Sequence, residues 1–368
     1  MAQTEINILE IDSWDSRFQS GVARYLDVLG AHMPPNVRVL RILFHYAPDV
    51  TDVRIIPSQN ELHVWHPAGF ASQTLYEAVM AMWGARLSAL PNLIVKCNCL
   101  GAENLAYLIR SRVHCRVVGV LHCVPPAPNV PNGAKPYNPY FNMDWIISVC
   151  GCAQSFLDAV QNTRPVTVIY NGIERPTGAP NKKTDDVFRF VWVHGWAPHK
   201  GLVQIIPAIA QIASQHKIEV LVLGGGAPDD KIRAQIADLP IRQIGLVTDP
   251  AELNKYYQMA DCALFASPSE ACPFAGIEAM ANQLPIISTD APGLTEMFGR
   301  AAVWVPLNEQ RQVNADAYAT QMRRMITDGR LRTRCAVLGY GRYLERYTVK
   351  KMARDTLRLY NRLITTIK

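Results

Sequence analysis

Two glutamates eight positions apart, Glu270 and Glu278, are the pair whose types and spacing most directly suggest chemistry. An apolar run ends in the polar turn Ser267-Pro268-Ser269-Glu270, and Pro273 then suits the first turn of a helix, where its missing N–H is no loss. The amides of Phe274, Ala275 and Gly276 are therefore expected as helix-start donors without intrahelical acceptors. Such a terminus favours an anion, phosphate above all. Glu270 stands before this anion site and Glu278 just over one turn inside the helix. A carboxylate that accepts from two neighbouring hydroxyls is a natural clamp for a ribose or hexose. The same positions also suit carboxylates that only complement the helix dipole, so both readings stay open.

A second strand-to-helix junction reads His194-Gly195-Trp196-Ala197-Pro198-His199-Lys200-Gly201. A cation at the positive end of a helix is unfavourable unless an anion is present, and a bound diphosphate would supply one; a solvated lysine is the plain alternative. His199 and His194 either assist or serve as loop and packing residues. Gly224-Gly225-Gly226 lacks the full dinucleotide fingerprint, yet it gives a cofactor or base room to approach the backbone. His122, at the end of the apolar run Val117–Leu121, is placed to bond a sugar hydroxyl or move a proton, or else is a structural histidine. Gly21 opens a helix capped by Ser20 and lets a diphosphate approach the backbone amides.

These residues need elements to hold them. Ile6–Ile11 is predicted as a strand, followed by a polar loop at 12–19 and a helix with Val22, Tyr25, Leu26 and Leu29 on one face. Strands follow at Val37–Phe44, Asn92–Lys96, Arg116–Leu121 and Val166–Ile169, and helices at Tyr76–Leu90 and Asn104–Ser111. The stretch from Pro125 to Tyr140, rich in Pro, Asn and Gly, is long for a connector and reads as functional. Residues 174–186 read as a linker. The alternation then restarts, with strands at Phe188–Val193, Ile218–Leu223, Ile241–Leu246, Cys262–Phe265 and Leu284–Ser288. Helices are predicted at Gly201–Gln215, Asp229–Ala237, Pro250–Met259 and Ala275–Asn282. Strand–helix alternation of this kind builds parallel sheets wrapped by helices. The expected fold is α/β: two tandem doubly wound, Rossmann-like domains with a cleft between them, spanning 1–180 and 187–345, with a closing helix at 346–368.

The chain has 368 residues, comfortable for two such domains, and its 49% apolar content marks it as globular. No apolar run reaches the ~18 residues of a membrane span, and Met1–Ile11 lacks the order of a signal peptide, so a cytoplasmic location is expected. Cys97/Cys99 and Cys150/Cys152 are C-x-C pairs without zinc spacing; no metal site is expected. Residues 1–180 balance 13 basic against 13 acidic side chains, whereas 329–368 carry 11 basic against two acidic. That basic end reads first as a solvated helix face, at most touching a membrane periphery. Its tyrosines fit helical packing as well as base stacking, so nucleic acid is not an expected partner.

Together these segments resemble the retaining glycosyltransferase family 4, of GT-B fold. The stretch that carries the resemblance is Ala260-Asp261, Ser267-Pro268-Ser269-Glu270, Glu278-Ala279-Met280-Ala281, Leu284-Pro285-Ile286-Ile287 and Gly293-Leu294-Thr295-Glu296. Glu270 and Glu278 match its E-x7-E motif, and Ser20-Gly21, His122 and Asn171-Gly172-Ile173 match more loosely. The resemblance implies that 1–180 is the acceptor-side domain and 187–345 the nucleotide-sugar-binding one, with a donor cleft between them and the helix at 346–368 packing back on the first, and that Glu270 binds the transferred sugar and Glu278 the nucleotide ribose. It gives sugar and phosphate to the amides near Phe274 and Ala275, the diphosphate to Lys200 with Gly21 on its other side, and the donor sugar to His122. It implies metal-independent transfer with retention, no cofactor, a UDP- or GDP-sugar donor and a carbohydrate-bearing, protein-linked or small-molecule acceptor. Three departures stand out. Trp196 replaces the family's phosphate-binding arginine, so one phosphate-binding charge is either missing or supplied by His199, Arg17 or Arg24. Gln283 replaces a common glycine, and Ala-Cys-Pro-Phe follows Glu270. The missing arginine also suits a non-catalytic, glycosyltransferase-like subunit, although such proteins often lose a donor-site carboxylate and both are kept here. An epimerase of the same fold is a further alternative, and homo- or hetero-oligomer formation stays open.

Overall fold

The computed structural model describes residues 4–13, 21–46, 54–66, 73–99, 101–123, 138–177 and 185–365. The chain forms two compact units, Met1–Asn171 with Val349–Lys368, and Gly172–Thr348.

In the first unit β1 (Ile6–Ser13), α1 (Gly21–Gly30), β2 (Val37–Tyr46), β3 (Arg54–Pro57), β4 (Glu61–His66), α2 (Gln73–Ser88) and β5 (Leu93–Cys97) come first. They are followed by α3 (Ala102–Arg112), β6 (Arg116–Leu121), β7 (Trp145–Ser148), α4 (Gln154–Ala159) and β8 (Val166–Val168). The sheet order is β3-β4-β2-β1-β5-β6-β7-β8, parallel throughout except for the β3–β4 pair. Every residue of β5 is buried, as expected of a central parallel strand covered on both faces.

The second unit runs β9 (Phe188–Trp192), α5 (Leu202–Ala213), β10 (Ile218–Leu223), α6 (Asp230–Ile236), β11 (Ile241–Gly245), α7 (Pro250–Met259) and β12 (Cys262–Phe265). It continues with α8 (Phe274–Ala281), β13 (Ile286–Thr289), α9 (Pro292–Phe298), β14 (Ala302–Val305), α10 (Ala315–Thr327) and α11 (Gly329–Arg346). Its six strands are all parallel, in the order β11-β10-β9-β12-β13-β14. Leu202, Ile205, Ile209 and Ile212 of α5 recur at helical spacing and are buried in the core of this sheet. The last helix, α12 (Val349–Thr365), belongs to the first unit, where it packs against α1. Its buried stripe, including Met352, Thr356, Leu359, Tyr360 and Leu363, repeats every three to four residues.

The elements differ from expectation where the sequence signal is thin. β1 runs on through Asp12 and Ser13, which were assigned to the loop; the expected cap Ser20 lies outside the described residues. The β3–β4 hairpin at the sheet edge and the four-residue β7 went unassigned. So did everything from α9 to α11. The polar stretch expected as a linker starts inside the second unit: the Asn254 and Gln258 side chains donate to Thr177 O at 2.8 and 3.2 Å, and Arg175 lies over the Tyr340 ring. Of the loop from Pro125 to Tyr140, residues 125–137 lie outside the described residues.

Candidate active site

The turn after β12 and the turn after β9 meet in an ion pair. Glu270 Oε1 accepts from Lys200 Nζ at 2.6 Å, and the Ser267 hydroxyl lies 3.1 Å from the same oxygen. The Glu270 side chain is 10% exposed and that of Lys200 22%, so the pair is half-sheltered from water. Lys200 closes a single 3-10 turn, Pro198–Lys200. Gly201, at φ 88°, then turns the chain into α5. A side chain at Gly201 would strike the Ala266 carbonyl, so only glycine allows both the left-handed turn and the close approach. On the other side, a Cβ at Gly293 in the first turn of α9 would lie 2.5 Å from Ala271 O and closer still to Glu270 O. The Glu270 backbone is thus wedged against α9, and its side chain is tied to Lys200.

Pro273 is the N-cap of α8, at φ −68° and ψ 133°, rather than a residue of its first turn. Because the helix opens tightly, Gly276 N–H donates to Pro273 O at 3.0 Å. Gly276 therefore drops out of the expected donor set. All eight residues of α8 are buried, Glu278 among them. Its Oε2 accepts from the Tyr257 hydroxyl of α7 at 2.7 Å. Tyr257 escaped the sequence reading; a tyrosine inside an otherwise polar helix was its only signal. The structure joins Glu270 to Lys200 and Glu278 to Tyr257, in two separate hydrogen-bonded pairs.

Trp196 points inward and is part of the core of the second sheet. Its N–H donates to Gly225 O at 3.2 Å, and the buried Trp192 indole donates to Gly195 O at 2.8 Å. This corrects the reading of the triple glycine. Gly224, at φ 115°, and Gly195, at φ 58°, are needed because the two loops pack backbone to backbone, each filling the space a Cβ would take. Around Gly225 nothing lies within 4 Å of an added Cβ, so open room exists there alone. The half-buried His194 ring stands edge-on to Trp192 and Phe265, with centroids 5.3 and 5.2 Å away. Burial, helped by Lys200, pushes its pKa down to about 3. His199 is exposed, and its pKa is lowered by partial desolvation and by Lys200. Of the proposed substitutes for the missing arginine, Arg17 lies outside the described residues and Arg24 sits in α1.

In the first unit, Gly21 is the exposed first residue of α1. His122 follows β6, with its ring edge-on to Tyr25 at 4.7 Å. Burial, and then Lys96, lowers its pKa to about 3, so it works as a neutral imidazole. Beneath it lies a charge ladder that the apolar look of β5 concealed. Glu10 pairs in register with both Arg41 and Lys96 and bonds both, at 3.1 Å each. Lys96 is fully buried, with Nζ 4.5 Å from the Tyr25 ring centre. Glu10 and the neighbouring Tyr25 and Tyr360 hold its pKa above the usual lysine value. None of the nine cysteines forms a disulfide. Part of the basic C-terminal segment is spent internally: Arg342 donates to the carbonyls of Met297 and Glu296, and Arg362 stacks on Trp145. Among the described residues no helix is long and apolar enough to cross a membrane.

Residues 177–341, which hold both pairs, match the family "Glycosyl transferases group 1". Two uncharacterized glycosyltransferases of Methanocaldococcus jannaschii are each 24% identical, over 182 and 205 residues. These matches take in 48% and 46% of this chain and 45% and 48% of the relatives, so the chain spans about half the length of the curated relatives it matches. Sucrose-phosphate synthase from Thermosynechococcus elongatus is similar in structure at a TM-score of 0.76, with 18% identity and coverage of 98% of this chain and 100% of that one. Anabaena HepE, solved in complex with UDP and glucose, gives 0.74 at 15% identity, covering 97% and 100%. The fold is therefore the GT-B fold of two Rossmann-like domains.

Proposed function

We propose that this chain is a retaining glycosyltransferase that moves a hexose from a nucleoside-diphosphate sugar to a carbohydrate-bearing, protein-linked or small-molecule acceptor without a metal. The observation that carries the reading is the Lys200–Glu270 pair, set at the starts of two helices within the stretch that matches the glycosyl transferases group 1 family. Cleavage of the donor leaves charge on the departing diphosphate. Lys200, His199 and the amides of Phe274 and Ala275 stabilise it as it develops, with Gly21 on the first unit as a further point of close backbone approach. Glu270 Oε1 is held by Lys200, which orients Oε2 to accept from hydroxyls of the transferred sugar. Glu278, anchored by Tyr257, takes the ribose hydroxyls. His122, neutral at physiological pH, bonds the donor sugar without adding charge. That Anabaena HepE was solved with UDP and glucose supports a UDP-sugar as the first donor to try.

The test is a panel of UDP- and GDP-sugars, followed by donor binding and donor hydrolysis. Binding of at least one donor is expected, and Glu270→Gln should slow its turnover by ~10² or more with unchanged melting. No response to any donor or free nucleoside diphosphate sinks the proposal, and an unimpaired Glu270→Gln removes the role of Glu270. Trp196, buried where the family carries an arginine, motivates one second reading, a non-catalytic partner subunit. A stable complex with another protein, together with no nucleotide binding, is the result that would favour it.

A further inference from the structure

Asn98 is a buried carboxamide with no hydrogen bond to either of its polar atoms. It follows the last residue of β5 and is 3% exposed, and neither Nδ2 nor Oδ1 meets a partner. Only its backbone N–H is used, to Ile11 O at 3.0 Å. A buried donor and acceptor left unsatisfied both oppose folding, and an apolar side chain of similar size would avoid the penalty. A second orphan stands on the neighbouring strand. Cys97 pairs with Gly119 across β5 and β6, and His122, the residue just past β6, has a buried Nε2 that also lacks a hydrogen bond. Both residues sit at the carboxyl edge of a parallel sheet, where open α/β folds take up ligands.

The chemistry of these orphans selects the ligand. An anion could accept from Nδ2 but would leave Oδ1 buried and unsatisfied, and a cation would do the reverse. A hydroxyl donates and accepts, so one or two hydroxyls of a polyol answer the whole carboxamide. The fully buried Asp12, next along β1 after Ile11, which pairs with Cys97, also weighs against an anion there. We propose that Asn98 is a specificity-determining residue that holds a hydroxyl of a neutral carbohydrate acceptor beside His122. The inference rests on the glycosyltransferase reading above and assigns it an acceptor subsite within the first unit.

The test uses the full-length chain and Asn98→Leu, loaded with UDP or GDP, whichever the wild type binds. Methyl α-D-glucopyranoside and methyl α-D-mannopyranoside serve as probes, followed by saturation-transfer NMR. At least one glycoside should bind the wild type. Asn98→Leu should weaken it about tenfold or more, while nucleotide affinity is unchanged and the melting temperature rises as the orphaned amide is removed. Asn98→Ser, which keeps a group that donates and accepts, should retain part of the binding. The proposal is overturned if neither glycoside binds the nucleotide-loaded wild type, or if Asn98→Leu binds it equally well. It is also overturned if Asn98→Leu melts lower, which would mark the side chain as structural. Failure of the wild type to bind any nucleotide is a different result, since it removes the glycosyltransferase reading itself.

Discussion

Gly293→Ala is the sharpest way to ask whether the position of Glu270 is set by its backbone wedge. The added Cβ would lie 2.5 Å from Ala271 O and 2.7 Å from the Glu270 carbonyl carbon. Close carbon–oxygen contacts settle near ~3.3 Å, so the Ala271 carbonyl must retreat by about 0.8 Å and that of Glu270 by more. These atoms are backbone and cannot rotate away, so either the 270–271 turn or the start of α9 has to move. Overpacking of this kind costs about 1–3 kcal/mol, and each kcal/mol lowers the melting temperature by roughly 2–4 °C in a domain of this size. A 1 Å displacement of a reacting group is worth up to ~10² in rate. Donor hydrolysis by Gly293→Ala should thus fall by one to two orders of magnitude, with a melting loss of several degrees. Gly225→Ala is the matched control: its Cβ meets nothing within 4 Å and its φ is not positive, so it should leave both readouts unchanged. Wild-type turnover and melting in Gly293→Ala would refute the idea that the contact between α9 and the 270–271 turn fixes the carboxylate.

Two further outcomes follow from the buried charges. His122 and His194, both pushed down to about 3, should show no imidazole titration by NMR above pH 5. Unfolded histidines take up protons below ~6.5 that these two refuse when folded, so stability is fully present above that pH. It is lost as pH falls towards 3, at up to ~1.4 kcal/mol per pH unit for each histidine, and His194→Phe should flatten the second unit's share in urea melts. Lys96→Met strips a fully buried cation from Glu10, and the first unit should lose ~3 kcal/mol in urea denaturation, the low end for a broken buried pair because Arg41 still holds the carboxylate. The loss should be the same from pH 6 to pH 9, since the Lys96 pKa is raised rather than lowered.

Much of the fold was legible because parallel sheets write it in repeated apolar runs. β6, β10, α7 and β12 fall where the pattern puts them, since each is bounded by a residue that breaks its period, such as Pro250 or Asp261. The β3–β4 hairpin was not legible: β3 is four residues long and largely exposed, so it carries no apolar alternation. Lys96 was invisible for the opposite reason. One charged residue inside Leu93–Cys97 reads as an interruption until Glu10 and Arg41 are seen in register with it across three strands. At the candidate site, Glu270 and Lys200 could each be singled out from helix-start electrostatics, but their union could not, because 70 residues separate them. The glycine run misled for a related reason. Glycine reports only that something comes close, and here the neighbour of Gly224 is Gly195 rather than a ligand.

The Lys200–Glu270 pair and buried Trp196 bear on the same difficulty. A half-sheltered ammonium facing a carboxylate holds that carboxylate in one rotamer, yet it also offsets some of the charge that a diphosphate would need to meet. With Trp196 turned into the core, its loop keeps Lys200 as the only permanent cation, flanked by His199, whose pKa is lowered by partial desolvation and by Lys200. On the proposed reading, phosphate charge on this unit would be met chiefly by Lys200 and by amide dipoles at the start of α8, which do not titrate and are little screened when water is excluded. An arriving diphosphate would, on that reading, share Lys200 with Glu270 Oε1 and leave Oε2 to accept from a sugar hydroxyl, while the wedge at Gly293 fixes the backbone that carries the carboxylate.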